Sequence, residues 1–174
     1  MRVIGGEFRS RVLKSLPGLD VRPTPDRLRE ALFNILAPRL EDKIFADLYA
    51  GTGAVGIEAL SRGAARAIFV ERKHAAVRLI RENLTSLGVA ARAKVHEGRV
   101  TAMLPRLEAD IVFLDPPYPL ENEYAAALEQ LGKTPRELVI AQHPPRMKLA
   151  EAYGALHRTR VLKQGDNQLS FYQG

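Results

Sequence analysis

In this 174-residue chain, Asp115-Pro116-Pro117-Tyr118 is the segment best suited to chemistry. An exocyclic amine on a heterocyclic base is a poor nucleophile, because its lone pair is delocalised into the ring. The Asp115 carboxylate and the Pro116 carbonyl can accept its two N–H bonds, which localises the lone pair toward an electrophilic methyl group. Proline restricts the backbone and adds no competing donor. Tyr118 can stack on the base, a contact worth roughly 1–3 kcal/mol. No strong base is needed, since the nitrogen becomes acidic once alkylated. A plain turn after a strand would also suit these four residues, so their surroundings must decide.

The surroundings supply a cofactor loop. Asp47-Leu48-Tyr49-Ala50-Gly51-Thr52-Gly53-Ala54-Val55-Gly56 runs from an apolar stretch into a helical one, and its glycines satisfy G-x-G-x-x-G. Such glycines let the backbone turn sharply and approach a ligand, and the helix start presents free N–H groups to a carboxylate or phosphate. Glu71 lies 20 residues after Gly51 at the end of the next apolar run, where an acid can accept both ribose hydroxyls. NAD and S-adenosylmethionine share that adenosine, so loop and acid alone do not choose between them. Asp115–Tyr118 chooses S-adenosylmethionine. Expected cofactor contacts are Asp47, Tyr49, Ala50, Gly51, Thr52, Gly53, Glu71, Arg72, Gly98, Arg99 and Val100. The expected catalytic residues are Asp115, Pro116, Pro117 and Tyr118.

These segments need a frame. From Ile44 onward, short apolar runs alternate with helical ones: strands at 44–49, 67–70, 94–97, 111–114 and 138–141, helices at 55–61, 75–87, 100–107 and 124–131. This alternation implies a parallel sheet covered on both faces. The tail differs, since Gly165-Asp166-Asn167 is too short a link for anything but antiparallel strands. The expected fold is therefore α/β and Rossmann-like, a mostly parallel sheet with a C-terminal antiparallel hairpin. At the front, Val3 to Leu13 reads as a small basic β-hairpin around Gly5-Gly6. Thr24-Pro25-Asp26 then starts a helix, with Thr24 as cap, an apolar stripe of Leu28, Leu32, Ile35 and Leu36, and Pro38 as its stop. The expected division is a basic N-terminal extension over residues 1–40 and, over 41–174, the α/β domain that carries the site.

Charge supports a polyanionic partner. The net charge is +6, and residues 1–40 hold eight basic side chains against four acidic ones. Arg2, Arg9, Arg11, Lys14, Arg22, Thr24 and Arg27 are the expected contacts to such a polyanion, because neutralising phosphates releases counterions. The lack of cysteine excludes disulfides and thiolate metal sites, and the four histidines show no ligand spacing, so no metal is expected. No apolar run reaches membrane-spanning length, and the arginine-rich start is unlike a signal peptide. A cytoplasmic monomer is expected.

Several motifs together resemble a known family. Asp115–Tyr118 is similar to the Asp/Asn/Ser-Pro-Pro-aromatic motif of amino-methyltransferases. Met1-Arg2-Val3-Ile4-Gly5-Gly6, Arg22-Pro23-Thr24 and Asp26–Asn34 resemble the signature of the bacterial 16S rRNA guanine-N2 methyltransferase family (RsmD). Asp47–Gly56 continuing through Glu58-Ala59-Leu60-Ser61-Arg62-Gly63-Ala64 is similar to the same family. The resemblance covers essentially the whole chain. It implies one methyl on guanine N2, S-adenosylhomocysteine as by-product, and a largely assembled small ribosomal subunit as substrate. One position departs from many families of this fold, which bind the adenine amino group with an acid. Here Glu97-Gly98-Arg99-Val100 places an arginine that cannot accept that bond. The rival readings are a DNA adenine-N6 or cytosine-N4 methyltransferase, an NAD-dependent dehydrogenase, and a non-catalytic RNA-binding assembly factor. The first would need room for a target-recognition domain, and the second leaves Asp115–Tyr118 idle. The third leaves Asp115 and the glycines without a purpose.

Overall fold

The computed structural model describes the chain except residue 16, residues 18–23 and residues 118–119. Five parallel strands form the frame: β1 (Ile44–Leu48), β2 (Arg66–Glu71), β3 (Ala93–Glu97), β4 (Ile111–Leu114) and β5 (Leu138–His143). Helices α1 (Asp26–Leu40), α2 (Ala54–Ser61), α3 (His74–Leu87), α4 (Val100–Met103) and α5 (Glu123–Leu131) cover the two faces. The chain closes with β6 (Ala152–Tyr153), β7 (Leu156–Gln164) and β8 (Asn167–Gln173). Across the described residues the strand order is β3-β2-β1-β4-β5-β8-β7-β6, with β8 antiparallel to β5 and to β7. The expected mostly parallel sheet with its antiparallel C-terminal hairpin is what forms.

Strand alternation splits the core. In β4 and β5, Val112, Leu114, Val139 and Ala141 face α4 and α5, in a cluster with Val100, Leu128 and Leu131. Ile111, Phe113, Leu138 and Ile140 face the other way, packing with Leu28, Leu32, Phe33 and Leu36 of α1. Helix α1 thus shares its core with the central strands. Register matters most for function. Leu48 is level with Val70 on one side and Leu114 on the other, and Leu114 is level with Ala141. The residues that follow, Tyr49, Glu71, Asp115 and Gln142, therefore emerge side by side at the carboxyl edge of the sheet.

Local expectations shift at three places. The N-terminal hairpin is reduced to one antiparallel bridge, Arg2 with Val12, plus backbone bonds such as Val3 N–H to Arg11 C=O at 2.9 Å. Packing onto α2 replaces ladder pairing. Buried Glu58 accepts the Ile4 and Gly5 N–H groups at 2.9 Å each, and a Cβ at Gly6 would lie 2.0 Å from the Ser61 carbonyl oxygen. Second, Pro38 does not stop α1, which runs on to Leu40. A proline so near the C-terminus removes a single helical bond, and burial of Leu36 and Leu40 holds the last turn. Third, the helix expected over 100–107 is four α-helical residues followed by a 3-10 turn at Leu104–Arg106, where Pro105 supplies no N–H.

Candidate active site

The carboxyl edge of β1, β2, β4 and β5 opens into a cavity of about 710 Å³. Sites in open α/β sheets lie at this edge. Of the residues expected to hold a cofactor, Asp47, Tyr49, Ala50, Gly51 and Thr52 line it from the β1–α2 loop. Glu71 and Arg72 line it from the end of β2, and Gly98, Arg99 and Val100 from the end of β3. Asp115, Pro116 and Pro117 line it after β4, so methyl-acceptor and cofactor candidates share one space. Tyr118 lies outside the described residues. Gly53 does not line the cavity. It adopts a left-handed φ of 79° as the N-cap of α2, and a Cβ there would press on Ile80, so it shapes the loop from behind.

Carboxylates hold the loop. Asp47 is buried beneath it and accepts the Gly56 N–H at 2.9 Å, so the first turn of α2 is capped from within the protein. Burial pushes the Asp47 carboxyl well above the usual carboxylate range, with Asp115 and Glu71 adding like-charge repulsion and the Gly56 bond opposing both. Gly56 itself must be glycine, since a Cβ would lie 2.3 Å from Cε1 of Phe69. Glu71 is tied by Gly51 N–H at 2.8 Å and by the Arg72 and Lys73 N–H groups at 3.1 Å each. A carboxylate has about four acceptor positions, so three backbone bonds leave it room for one more. Tyr49 sits at φ 58°, a strained conformation for an aromatic residue and typical of ligand-binding turns. Glu97, beside the unusual Arg99, is turned to His74 Nδ1 at 2.7 Å and does not line the cavity.

Several lining residues gave no motif in the sequence. Gln142 and His143 end β5, Arg146 follows them, Tyr124 comes from α5, and Lys163 with Asp166 and Asn167 come from the β7–β8 turn. The signal that could have found the first two is a polar pair ending the apolar run Leu138–Ala141, at the edge where sites lie. His143 is buried, its Nε2 2.8 Å from Ser170 Oγ, and burial holds its pKa below the ordinary value. The Tyr124 hydroxyl donates to the Gln142 carbonyl. Burial, then the nearby Asp115 charge, pushes that phenol well above its usual range. Among the described residues no cluster of His, Cys, Asp or Glu is placed to hold a metal ion, and no helix is long and apolar enough to cross a membrane.

The basic front divides. Arg2, Arg9, Arg11, Lys14 and Arg27 are exposed, with Arg11 reaching the Ser86 carbonyl at 3.1 Å and Lys14 near Glu82 at 3.8 Å. Arg22 lies outside the described residues. Thr24 caps no helix; it lines the cavity, and its hydroxyl donates to Gln142 Oε1 at 3.3 Å. Arg29 is fully buried, its Nε 3.6 Å from Glu58 Oε1, and serves the fold.

Known proteins share this arrangement. The chain is 37% identical over 171 residues to Ribosomal RNA small subunit methyltransferase D of Escherichia coli (strain K12), covering 94% of this chain and 86% of that one. It is 34% identical over 187 residues to YlbH of Bacillus subtilis, covering 99% and 98%. A solved Escherichia coli structure, 30% identical, matches with a TM-score of 0.86 over 99% of this chain and 97% of the other. An RNA methyltransferase from Salinibacter ruber in complex with S-adenosyl-L-homocysteine matches in fold, with a TM-score of 0.68 at 19% identity over 87% and 93%. The fold is Rossmann-like, and relatives named as rRNA methyltransferases make the chain a methyltransferase of that fold. The family model described as Conserved hypothetical protein 95 matches residues 1–173. The chain belongs to that family, the RsmD family to which its motifs point.

Proposed function

We propose that this enzyme methylates the exocyclic N2 of a guanine in 16S rRNA, presented on the assembled small ribosomal subunit. The observation that carries the reading is the shared cavity: Asp115, Pro116 and Pro117 line the same space as the glycine loop and Glu71. The names of the relatives support an rRNA substrate of the small subunit.

The residues present fit S-adenosylmethionine. A cavity of about 710 Å³ is within the range that encloses a small cofactor. Its acids Glu71 and Asp115 favour a ligand carrying sulfonium and ammonium charges. When bound, the cofactor supplies an electrophilic methyl on its sulfonium. Asp47 keeps the Gly51–Gly53 loop in shape for the methionine portion, and Glu71 accepts from the ribose. Arg72, Gly98 and Val100 flank the adenosine, with the backbone near Arg99 meeting the adenine amino group. Asp115 and the Pro116 carbonyl accept the two N–H bonds of the target amine and aim its lone pair, and Tyr118 stacks on the base. Catalysis is then mainly positioning and exclusion of water. Residues 1–40 act as the RNA-facing extension of the 41–174 catalytic domain, with Arg2, Arg9, Arg11, Lys14, Arg22 and Arg27 meeting phosphates. The enzyme works in the cytoplasm as a monomer, without a metal.

The decisive test is transfer of tritiated methyl to rRNA from a strain lacking this protein, naked and in subunits, followed by nucleoside analysis. Label in N2-methylguanosine from subunits is expected. Label in N6-methyladenine or N4-methylcytosine of DNA would overturn the reading.

A further inference from the structure

Gln142 breaks a pattern that stability alone would continue. It follows Leu138 and Ile140 on the face of β5 packed against α1, and both of those are buried apolar residues. At 5% exposure an apolar side chain would serve the core better, because a buried amide costs free energy unless its groups are paired. Polar residues that break a buried pattern point to function.

Its pairs are specific. The Gln142 Oε1 accepts the Thr24 hydroxyl at 3.3 Å, and its Nε2 donates to Asn167 Oδ1 at 3.4 Å. Its backbone carbonyl accepts the Tyr124 hydroxyl. One residue therefore links the segment entering α1, the β7–β8 turn and α5. All four of these residues line the cavity. The register sets Gln142 level with Asp115 one strand away, because Ala141 pairs with Leu114. Both side-chain bonds, at 3.3 and 3.4 Å, are longer than the usual range, so the link orients its partners more than it holds the fold.

Thr24 stands at the entry to α1 within the basic front, and Asn167 opens β8 at the far wall. Neither is part of the glycine loop or the end of β2. We infer that Gln142 is a positioning residue for the RNA acceptor: it ties the basic N-terminal segment to the β7–β8 turn, so that a nucleotide held by the first enters the cavity at the level of Asp115. This inference rests on the cavity being a methyl-transfer site for RNA.

The test is steady-state methylation of small subunits by wild type and by Gln142→Leu, which keeps bulk and removes both side-chain bonds. Cofactor affinity is followed in parallel by titration with S-adenosylhomocysteine. The expected result is a roughly tenfold rise in KM for the subunit, the scale of one or two lost hydrogen bonds, with kcat and cofactor affinity changed less than about threefold. Thr24→Val and Asn167→Ala each remove one partner and should raise the same KM by smaller factors. Combining Thr24→Val with Gln142→Leu should add little beyond Gln142→Leu alone, since both break one link. If Gln142→Leu does not fold, the two partner variants read the same KM change. An unchanged KM in these variants, or an equal loss of cofactor affinity, overturns the inference. Failure of the underlying RNA reading looks different, because wild type itself then labels no RNA.

Discussion

Replacing Glu71 with alanine should weaken both the cofactor site and the loop that frames it, by amounts the geometry sets. Glu71 is buried and accepts three backbone N–H groups, from Gly51 at 2.8 Å and from Arg72 and Lys73 at 3.1 Å. Arg72 is exposed and Lys73 half-buried, so water can replace the carboxylate there. Gly51 is buried, and its orphaned N–H should cost about 1–3 kcal/mol of stability. A ribose hydroxyl on the remaining acceptor position is a bond to a charged group, worth about 1.5–3 kcal/mol. With part of the loop disorder added, affinity for S-adenosylhomocysteine should fall by about 2–4 kcal/mol, or roughly 30- to 1,000-fold. Glu71→Gln keeps one acceptor oxygen for Gly51 and should fall between. Calorimetric titration with S-adenosylhomocysteine, paired with thermal unfolding, separates the two effects. If Glu71→Ala binds within about threefold of wild type, the ribose assignment is wrong. If affinity falls while the melting temperature is unchanged, Glu71 does not hold the loop.

Four further outcomes are expected. Asp115→Ala should slow single-turnover methylation by roughly 100-fold, the scale of one transition-state hydrogen bond, and leave S-adenosylhomocysteine titrations unchanged; methylation near the wild-type rate would refute amine activation. Reversing charge at exposed Arg9 and Arg11 should weaken RNA binding and flatten its salt dependence without touching cofactor affinity, as read by binding isotherms at several salt concentrations. Arg29→Met removes the longer of two cation contacts to Glu58, which keeps Arg62 at 2.8 Å, and orphans the Arg2 carbonyl, so it should destabilise by about 1–3 kcal/mol in denaturant unfolding. His143 has a folded pKa below its ordinary 6.5, so its contribution is complete above that pH and is lost as pH falls. Melting temperatures of wild type should therefore drop relative to His143→Gln below about pH 6.5, while Asp47, whose pKa is raised from 3.8, contributes the opposite slope in both proteins.

Four of the five central strands were legible as short apolar runs ending where a polar motif begins, whereas β3 carries Lys94, His96 and Glu97 and is marked by the alternation of elements around it. Asp47, Glu71 and Asp115 could be placed at one edge from strand ends alone, and the register brings them there. What was not legible depends on contacts distant in sequence. Thr24 looked like a helix cap, but its hydroxyl finds Gln142, 118 residues away. Arg29 looked like part of a basic surface, yet it lies in the same helical stripe as Leu32 and Phe33 and meets Glu58 in the core. Val3 to Leu13 alternates like a hairpin, but Glu58, Ser61 and Asn83 take up backbone groups that a ladder would have used.

The internal cap on α2 also bears on why the glycine motif serves this cofactor. A G-x-G-x-x-G loop opening a helix is suited to pyrophosphate, since the helix N-terminus offers free N–H groups and positive potential. Here the Asp47 carboxylate already occupies that position through the Gly56 N–H, and Glu71 takes the Gly51 N–H. A pyrophosphate entering the loop would meet two carboxylates with a third, Asp115, close by. Burial, with Asp115 and Glu71 adding repulsion, already holds the Asp47 carboxyl well above the usual carboxylate range. A cationic sulfonium reverses that sign at Glu71 and Asp115, the acids we propose face the cofactor. The same charge then discharges on methyl transfer, because the product S-adenosylhomocysteine carries a neutral thioether.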